Sequence, residues 1–277
     1  MELEAHRTLL RSLFPPLAAA GAPAFLDNAA GSLVPHRVVT AMTDVLVARG
    51  VVNSMPSYPW GREQGILKEA AHAAAATFVN APGGAAEIAI GPSSTAMAFR
   101  LSAALSRRFV PGDAVVVSEL EHECNASPWR EIPGVEIRVW RAKWPSGSLN
   151  LDDLSDLLGD GRVRLVAVTA ASNCLGLVVD VAAAARIAHA KGALVICDSV
   201  HGAPHALPDV QRDDLDFLLF SPYKVGAPHL GVLYVRQSLI VGLDVPTLHF
   251  YDKRDASKME YGACVRRVGS YQVLWLG

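Results

Sequence analysis

From about residue 64 to residue 236 the chain alternates short, β-branched apolar runs with longer, Ala-rich stretches of helical period. The short runs predict strands over Glu87–Ile90, Ala114–Ser118, Val135–Trp140, Arg164–Thr169, Ala193–Cys197, Asp216–Ser221 and Gly231–Val235. The longer stretches predict helices over Gly65–Phe78, Thr95–Arg107, Leu151–Leu158 and Val181–Lys191. Strands that alternate with helices need crossover connections, so the sheet is expected to be mostly parallel, with helices on both faces. Arg164–Thr169 and Ala193–Cys197 alternate poorly and are rich in Val, Leu and Ile, the mark of strands buried on both sides. After Arg236 the pattern breaks into Asp244-Val245-Pro246 and a charged stretch from Asp252 to Lys258. The chain ends on an apolar, aromatic run from Tyr271 to Gly277.

A chain of 277 residues can bury one large α/β core, with or without an appendage. With 51% hydrophobic residues, 19% charged residues and a net charge of −2, neither disorder nor a polyanion-binding surface is expected. No basic stripe with interleaved aromatics is present, which argues against nucleic acid as a partner. The most apolar stretches are broken by Asp180, Arg186 or Asp198 before the ~20 residues of a membrane span. The opening Met1-Glu2-Leu3-Glu4 lacks the basic-then-apolar order of a signal peptide, so a soluble, cytoplasmic protein is expected. Cys124, Cys174, Cys197 and Cys264 are scattered, with neither metal-ligand spacing nor a disulfide pattern, and read as small hydrophobes.

In an open parallel sheet, ligands sit beyond the carboxyl ends of the strands, so polar residues just after predicted strands are the informative ones. Gly91-Pro92-Ser93-Ser94-Thr95 opens a helix and reads either as a plain N-cap or as an anion site built from free amides and small hydroxyls. His122, within Glu121-His122-Glu123-Cys124-Asn125, suits a surface loop or a ring stacked on a flat cofactor. With no second His or Cys at ligand spacing, metal is the weakest reading. Asn173, within Ser172-Asn173-Cys174-Leu175-Gly176, caps a turn or bonds a ligand oxygen. Asp198, in Asp198-Ser199-Val200-His201, ends a buried strand, where a carboxylate is costly unless paired. A protonated cofactor ring or a nearby cationic side chain would serve. Lys224, in Ser221-Pro222-Tyr223-Lys224, has no acid beside it in sequence and is either a solvated charge or a lysine suited to Schiff-base chemistry.

The ordered set resembles the class V aminotransferase and cysteine desulfurase group of fold-type I pyridoxal-phosphate enzymes, in a desulfurase-like subfamily. The resemblance runs from Phe25-Leu26-Asp27-Asn28-Ala29-Ala30-Gly31 to about Gly262, through all the motifs above. It implies a fold-type I large domain, a mostly parallel seven-stranded α/β sheet flanked by helices, with the C-terminal small domain truncated. Residues 1–62 would form an N-terminal arm and the start of the substrate side, 63–240 the cofactor-binding domain, and 241–277 a remnant of the C-terminal domain. Lys224 would attach pyridoxal 5'-phosphate and move the substrate's α-proton. Asp198 would pair with the ring nitrogen, and His122 would stack on the ring. Asn173 and His201 would bond its phenolic oxygen, and Ser93, Ser94, Thr95, Ser221 and Tyr223 would hold its phosphate. Asn28, Ala29 and Ala30 would line the substrate side.

The same resemblance implies an amino-acid substrate and a homodimer, with residues 50–62 reaching across the interface. Cysteine-like C–S cleavage is the first expectation. Racemisation, transamination or a shortened, non-catalytic protein of this fold are the alternatives. Relatives carry the substrate-gripping arginine and the sulfur-accepting cysteine in the domain that would follow, and Cys264 lies in the wrong context for the latter. At Lys258-Met259-Glu260-Tyr261-Gly262-Ala263, Ala263 replaces a threonine that in relatives reaches a neighbouring subunit's phosphate.

Overall fold

The seven apolar runs form the seven strands of one sheet in a computed structural model of the chain. It describes residues 2–47, 50, 52–54, 57–240 and 243. The features noted at Asp244–Pro246, Asp252–Lys258, Lys258–Ala263, Cys264 and Tyr271–Gly277 lie outside those residues, and with them the expected C-terminal remnant. The chain divides into two units. An arm unit comprises Met1–Ala71 with Pro222–His229, and a sheet unit comprises His72–Ser221 with the chain from Leu230 onward.

The arm unit holds α1 (Glu2–Ser12), α2 (Pro15–Ala18), α3 (His36–Val47) and the first turns of α4 (Pro59–Phe78). None of α1 to α3 was foreseen from the sequence, and α4 begins six residues before its expected start at Gly65. α3 buries none of its residues, and Val39, Met42 and Leu46 on it are exposed. The turn after Leu26 is pinned to the segment Pro222–His229: the Ser32 amide donates to the Tyr223 carbonyl (3.1 Å) and the Ser32 hydroxyl to the Lys224 carbonyl (2.6 Å).

The sheet unit runs β1 (Ile88–Gly91), α5 (Ser94–Ser106), β2 (Ala114–Ser118), α6 (Ser127–Arg130), β3 (Glu136–Trp140), β4 (Ala142–Lys143), β5 (Ser148–Leu149) and α7 (Leu151–Leu157). It continues through β6 (Val163–Thr169), α8 (Val181–Ala190), β7 (Leu194–Asp198), β8 (Phe217–Phe220), β9 (Gly231–Val235) and α9 (Gln237–Ile240). The sheet order is β1-β9-β8-β7-β6-β2-β3, with β9 antiparallel to both β1 and β8 and the other pairings parallel. Two of the seven strands, β2 and β9, keep their expected bounds, and the others shift by one residue at one or both ends. The β4–β5 hairpin was not foreseen, because two-residue strands carry no readable period.

Successive side chains of a strand point to opposite faces, and the central strands use both. Val116, Val166, Val168, Val195, Leu218 and Phe220 pack on one face with Leu154 of α7 and Ala184, Ala185 and Ala188 of α8. Val115, Val117, Leu165, Ala167, Ile196, Phe217 and Leu219 pack on the other with Met97, Leu101 and Leu105 of α5 and with Trp129. This double burial explains why β6 and β7 do not alternate in sequence. The exception is Arg164, exposed at the start of β6, where it pairs with Asp113 at 2.8 Å. Among the described residues no helix is long and apolar enough to cross a membrane.

Candidate active site

The strand order fixes where a ligand would sit in the sheet unit. From β2 the chain steps outward to β3, then returns to β6 on the other side of β2 and continues to β7 and β8. The order therefore reverses between β2 and β6, and the crevice beyond the carboxyl ends of the strands opens there. Glu121 to Asn125 follow β2, Asn173 follows β6, and Asp198 ends β7.

Asp198 is buried (2% exposed). Its Oδ1 accepts the Val200 amide at 2.8 Å, and its Oδ2 accepts the Cys124 thiol at 3.1 Å. Within the described residues of this unit only these neutral donors reach it. His201 is half-buried on the turn that follows, which is closed by the Ala203 amide donating to the Ser199 carbonyl (2.8 Å).

After β2 the chain turns through a short 3-10 helix, Glu123–Asn125, whose N-cap is His122. His122 Nδ1 accepts the Cys124 amide at 3.1 Å, so in this geometry that nitrogen carries a lone pair and the exposed ring is held from one edge. Glu121 accepts the Ser118 hydroxyl (2.6 Å) and the side-chain amide of the fully buried Asn125 (2.8 Å). Burial pushes the Glu121 carboxyl up to about 8, with the negative Asp198 nearby adding to the shift. Burial likewise pushes the Cys124 thiol up, reinforced by Asp198 and Glu121. In sequence Glu121 carries no assigned role and Cys124 reads as a small hydrophobe. The available signal was a serine and a glutamate three apart at the end of a buried strand.

After β6, the Ser172 hydroxyl accepts the Leu175 amide (3.3 Å), and the Ser172 backbone closes the turn with Gly176 and Leu177. Capping thus falls to Ser172, and the half-buried Asn173 side chain is not used for it.

At the other anticipated place, the Ser93 hydroxyl accepts the Ala96 amide at 3.1 Å and caps α5. The amides that follow have no intrahelical acceptor by position, and Thr95 is exposed beside them. The hydroxyls of Ser94 and Ser221, both buried, lie 2.7 Å apart although 127 residues separate them. Gly231 makes this approach possible. A Cβ there would stand 2.1 Å from the Ser93 carbonyl carbon, so any side chain would push β9 away from the cap.

Within the arm unit, Lys224 is buried in the 3-10 turn Pro222–Val225. Its Nζ donates to the Ala29 carbonyl and to the Ala30 carbonyl (3.0 Å) and sits 4.9 Å from the centre of the Tyr223 ring. The Tyr223 ring stacks on His229, with centroids 4.2 Å apart. The expected lysine and the expected substrate-side residues Ala29 and Ala30 are thus in direct contact. Asn28 lies in the same turn and is exposed.

The class-V aminotransferase family matches residues 24–249 of the chain. A cysteine desulfurase of Serratia proteamaculans is 34% identical over 245 residues, covering 83% of this chain and 58% of that protein. The aminotransferase-like protein FGM3 of Gibberella zeae is 35% identical, covering 81% of this chain and 56% of its own length. Among solved structures, the cysteine desulfurase CsdA of Escherichia coli matches with a TM-score of 0.75 at 30% identity, over 87% of this chain and 60% of that one. A cysteine desulfurase of Thermococcus onnurineus matches with a TM-score of 0.74 at 26% identity, over 80% of this chain and 56% of that one. The chain spans a little over half the length of these curated relatives. The family match, the relatives and the sheet agree with the motif order, and the chain belongs to the class-V aminotransferase family of fold-type I pyridoxal-phosphate proteins.

Proposed function

We propose that the chain binds pyridoxal 5'-phosphate and acts on an amino acid, with cysteine desulfurase-like cleavage of the C–S bond as its reaction. The observation that carries this reading is Asp198, a buried carboxylate at the carboxyl end of β7, one strand from the reversal, whose two oxygens meet only neutral donors among the described residues of the sheet unit. A buried carboxylate left in that state fits a protonated ring nitrogen, which would supply the missing positive charge. Ser94 and Ser221, converging at the start of α5, fit a phosphate by their hydroxyls and the neighbouring free amides.

Bound pyridoxal phosphate supplies an electron sink for charge developing at the substrate's α-carbon. The rest is work for the chain's own side chains. Asp198 would keep the ring nitrogen protonated, and His122, held by the Cys124 amide, would cover one ring face. Asn173 and His201 would bond the phenolic oxygen. Ser93, Ser94, Thr95, Ser221 and Tyr223 would hold the phosphate. Lys224 would attach the cofactor and, once released, carry the α-proton on Nζ. To do so it must leave the Ala29 and Ala30 carbonyls, to which it donates. Asn28, Ala29 and Ala30 would line the substrate side, with the amino acid as partner and a second copy of the chain completing a homodimer.

The test is incubation of the purified chain with pyridoxal phosphate, L-cysteine and a reducing thiol. The expected products are alanine and sulfide in equal amounts, with the reductant oxidised to its disulfide. The similarity to an aminotransferase-like protein supports a second reading, transamination or epimerisation. Amino-group transfer or loss of optical activity without sulfide would favour it. Retained cofactor with no turnover of any amino acid would leave a cofactor-binding protein.

A further inference from the structure

We propose that Cys124 is a positioning residue whose thiol fixes the Asp198 carboxylate in the orientation that meets a bound ring nitrogen. The inference rests on the pyridoxal-phosphate reading above and deepens it.

Cys124 sits on the turn after β2 and Asp198 at the end of β7, with β6 lying between those strands in the sheet. Their side chains meet over that strand, Sγ to Oδ2 at 3.1 Å, with exposures of 6% and 2%. The opposite oxygen, Oδ1, takes the Val200 amide at 2.8 Å. One donor on each oxygen sets the plane of the carboxylate, and because both donors are neutral its negative charge is left for a ligand. A lysine or arginine in place of Cys124 would cancel that charge, and an alanine would leave Oδ2 unheld.

The same residue also reaches the ring-stacking candidate, because its amide donates to His122 Nδ1 at 3.1 Å. Cys124 therefore ties the imidazole through its backbone and the carboxylate through its side chain. Burial and the neighbouring Asp198 and Glu121 carboxyls push the thiol well above its ordinary value. It stays a donor and is a poor nucleophile, which separates it from a sulfur-accepting cysteine.

The experiment has two readouts on the full chain. The first is the infrared S–H stretch of the cofactor-free protein, isolated as the difference between wild type and Cys124→Ala. The expected band lies at the low frequency of a thiol bonded to a charged acceptor, and it moves upward in Asp198→Asn. The second is titration with pyridoxal phosphate. Cys124→Ala is expected to bind it roughly three- to tenfold more weakly than wild type and to shift the absorption band of the bound cofactor. Cys124→Ser, which keeps a donor, is expected to restore affinity to within about twofold. An unbonded S–H band, or unchanged affinity and spectrum in Cys124→Ala, would overturn the proposal and return Cys124 to a packing role. Failure of the serine to rescue would overturn it as well. If the wild type takes up no pyridoxal phosphate, the underlying reading and the positioning role fall together, whereas a bonded S–H band in that protein would show that the thiol contact itself is real.

Discussion

At the amino ends of the parallel strands, Asp113 and Asp216 are buried and tied to cations. At the carboxyl ends Asp198 is just as buried and is held by neutral donors. Asp113 pairs with Arg164 (2.8 Å) and accepts the Val110 amide (2.9 Å). Burial opposes ionisation there, but the amide and the arginine together hold the carboxyl below its ordinary value. Asp216 takes His189 (2.8 Å), the Val195 amide (2.8 Å) and Arg236 (3.0 Å). Both ends thus bury negative charge, and among the described residues of the sheet unit only the amino end pairs it with cations. A buried charge matched by the fold is part of the scaffold, and one left for an external cation marks a place where something binds.

The sharpest way to break this comparison is to neutralise one acid at each end. Asp198→Asn should still take up the cofactor, at least as weakly as Cys124→Ala does, and lower turnover by at least about a hundredfold, because the ring nitrogen loses the charge that keeps it protonated. Its cofactor-free melting temperature should stay level or rise, since a buried charge without a cation has been removed. Near-normal turnover in steady-state assays would refute the role given to Asp198. Asp113→Ala should do the reverse. It orphans the Val110 amide and Arg164, and with Arg164 half exposed the expected loss is about 2 kcal/mol in urea unfolding, with cofactor uptake unchanged. A destabilised Asp198→Asn beside an unaffected Asp113→Ala would erase the distinction between the two ends.

A third acid, Glu121, responds to pH. Its folded value near 8 lies above the ordinary 4.5, so between these the folded chain keeps a proton that the unfolded chain has released. The stability this contributes is present in full below about 4.5 and is lost as pH rises through about 8. For one group the slope is at most ~1.4 kcal/mol per pH unit. Glu121→Gln should flatten that slope in denaturation of the cofactor-free chain across this window. An unchanged slope would mean that Glu121 is ionised in the folded chain throughout.

The sheet was legible in the sequence because parallel strands buried on both faces are written as uninterrupted apolar runs. Val115 to Val117 and Val166 to Val168 need no partner in sequence to be recognised. The arm helices were not legible for the converse reason. The apolar residues of α3 bury nothing, so their spacing answers to no core within the described residues. At the candidate site, the polar residues after each strand were readable by position and by the resemblance they carry together. The Cys124–Asp198 and Ser94–Ser221 contacts were not, since 74 and 127 residues separate the partners and only the strand order brings them together. Glu121 escaped for a related reason, because its raised value depends on burial and on Asp198, neither of which its own neighbours in sequence reveal.

The central claim is that Lys224 carries pyridoxal phosphate. The direct measurement is the visible spectrum of the purified chain with added cofactor, followed by borohydride reduction and peptide mapping, with Lys224→Ala as the control. The account predicts a yellow protein, fixed cofactor on the peptide that contains Lys224, and neither band nor label in the folded variant. A colourless wild type, or the same colour and label surviving in Lys224→Ala, would contradict it.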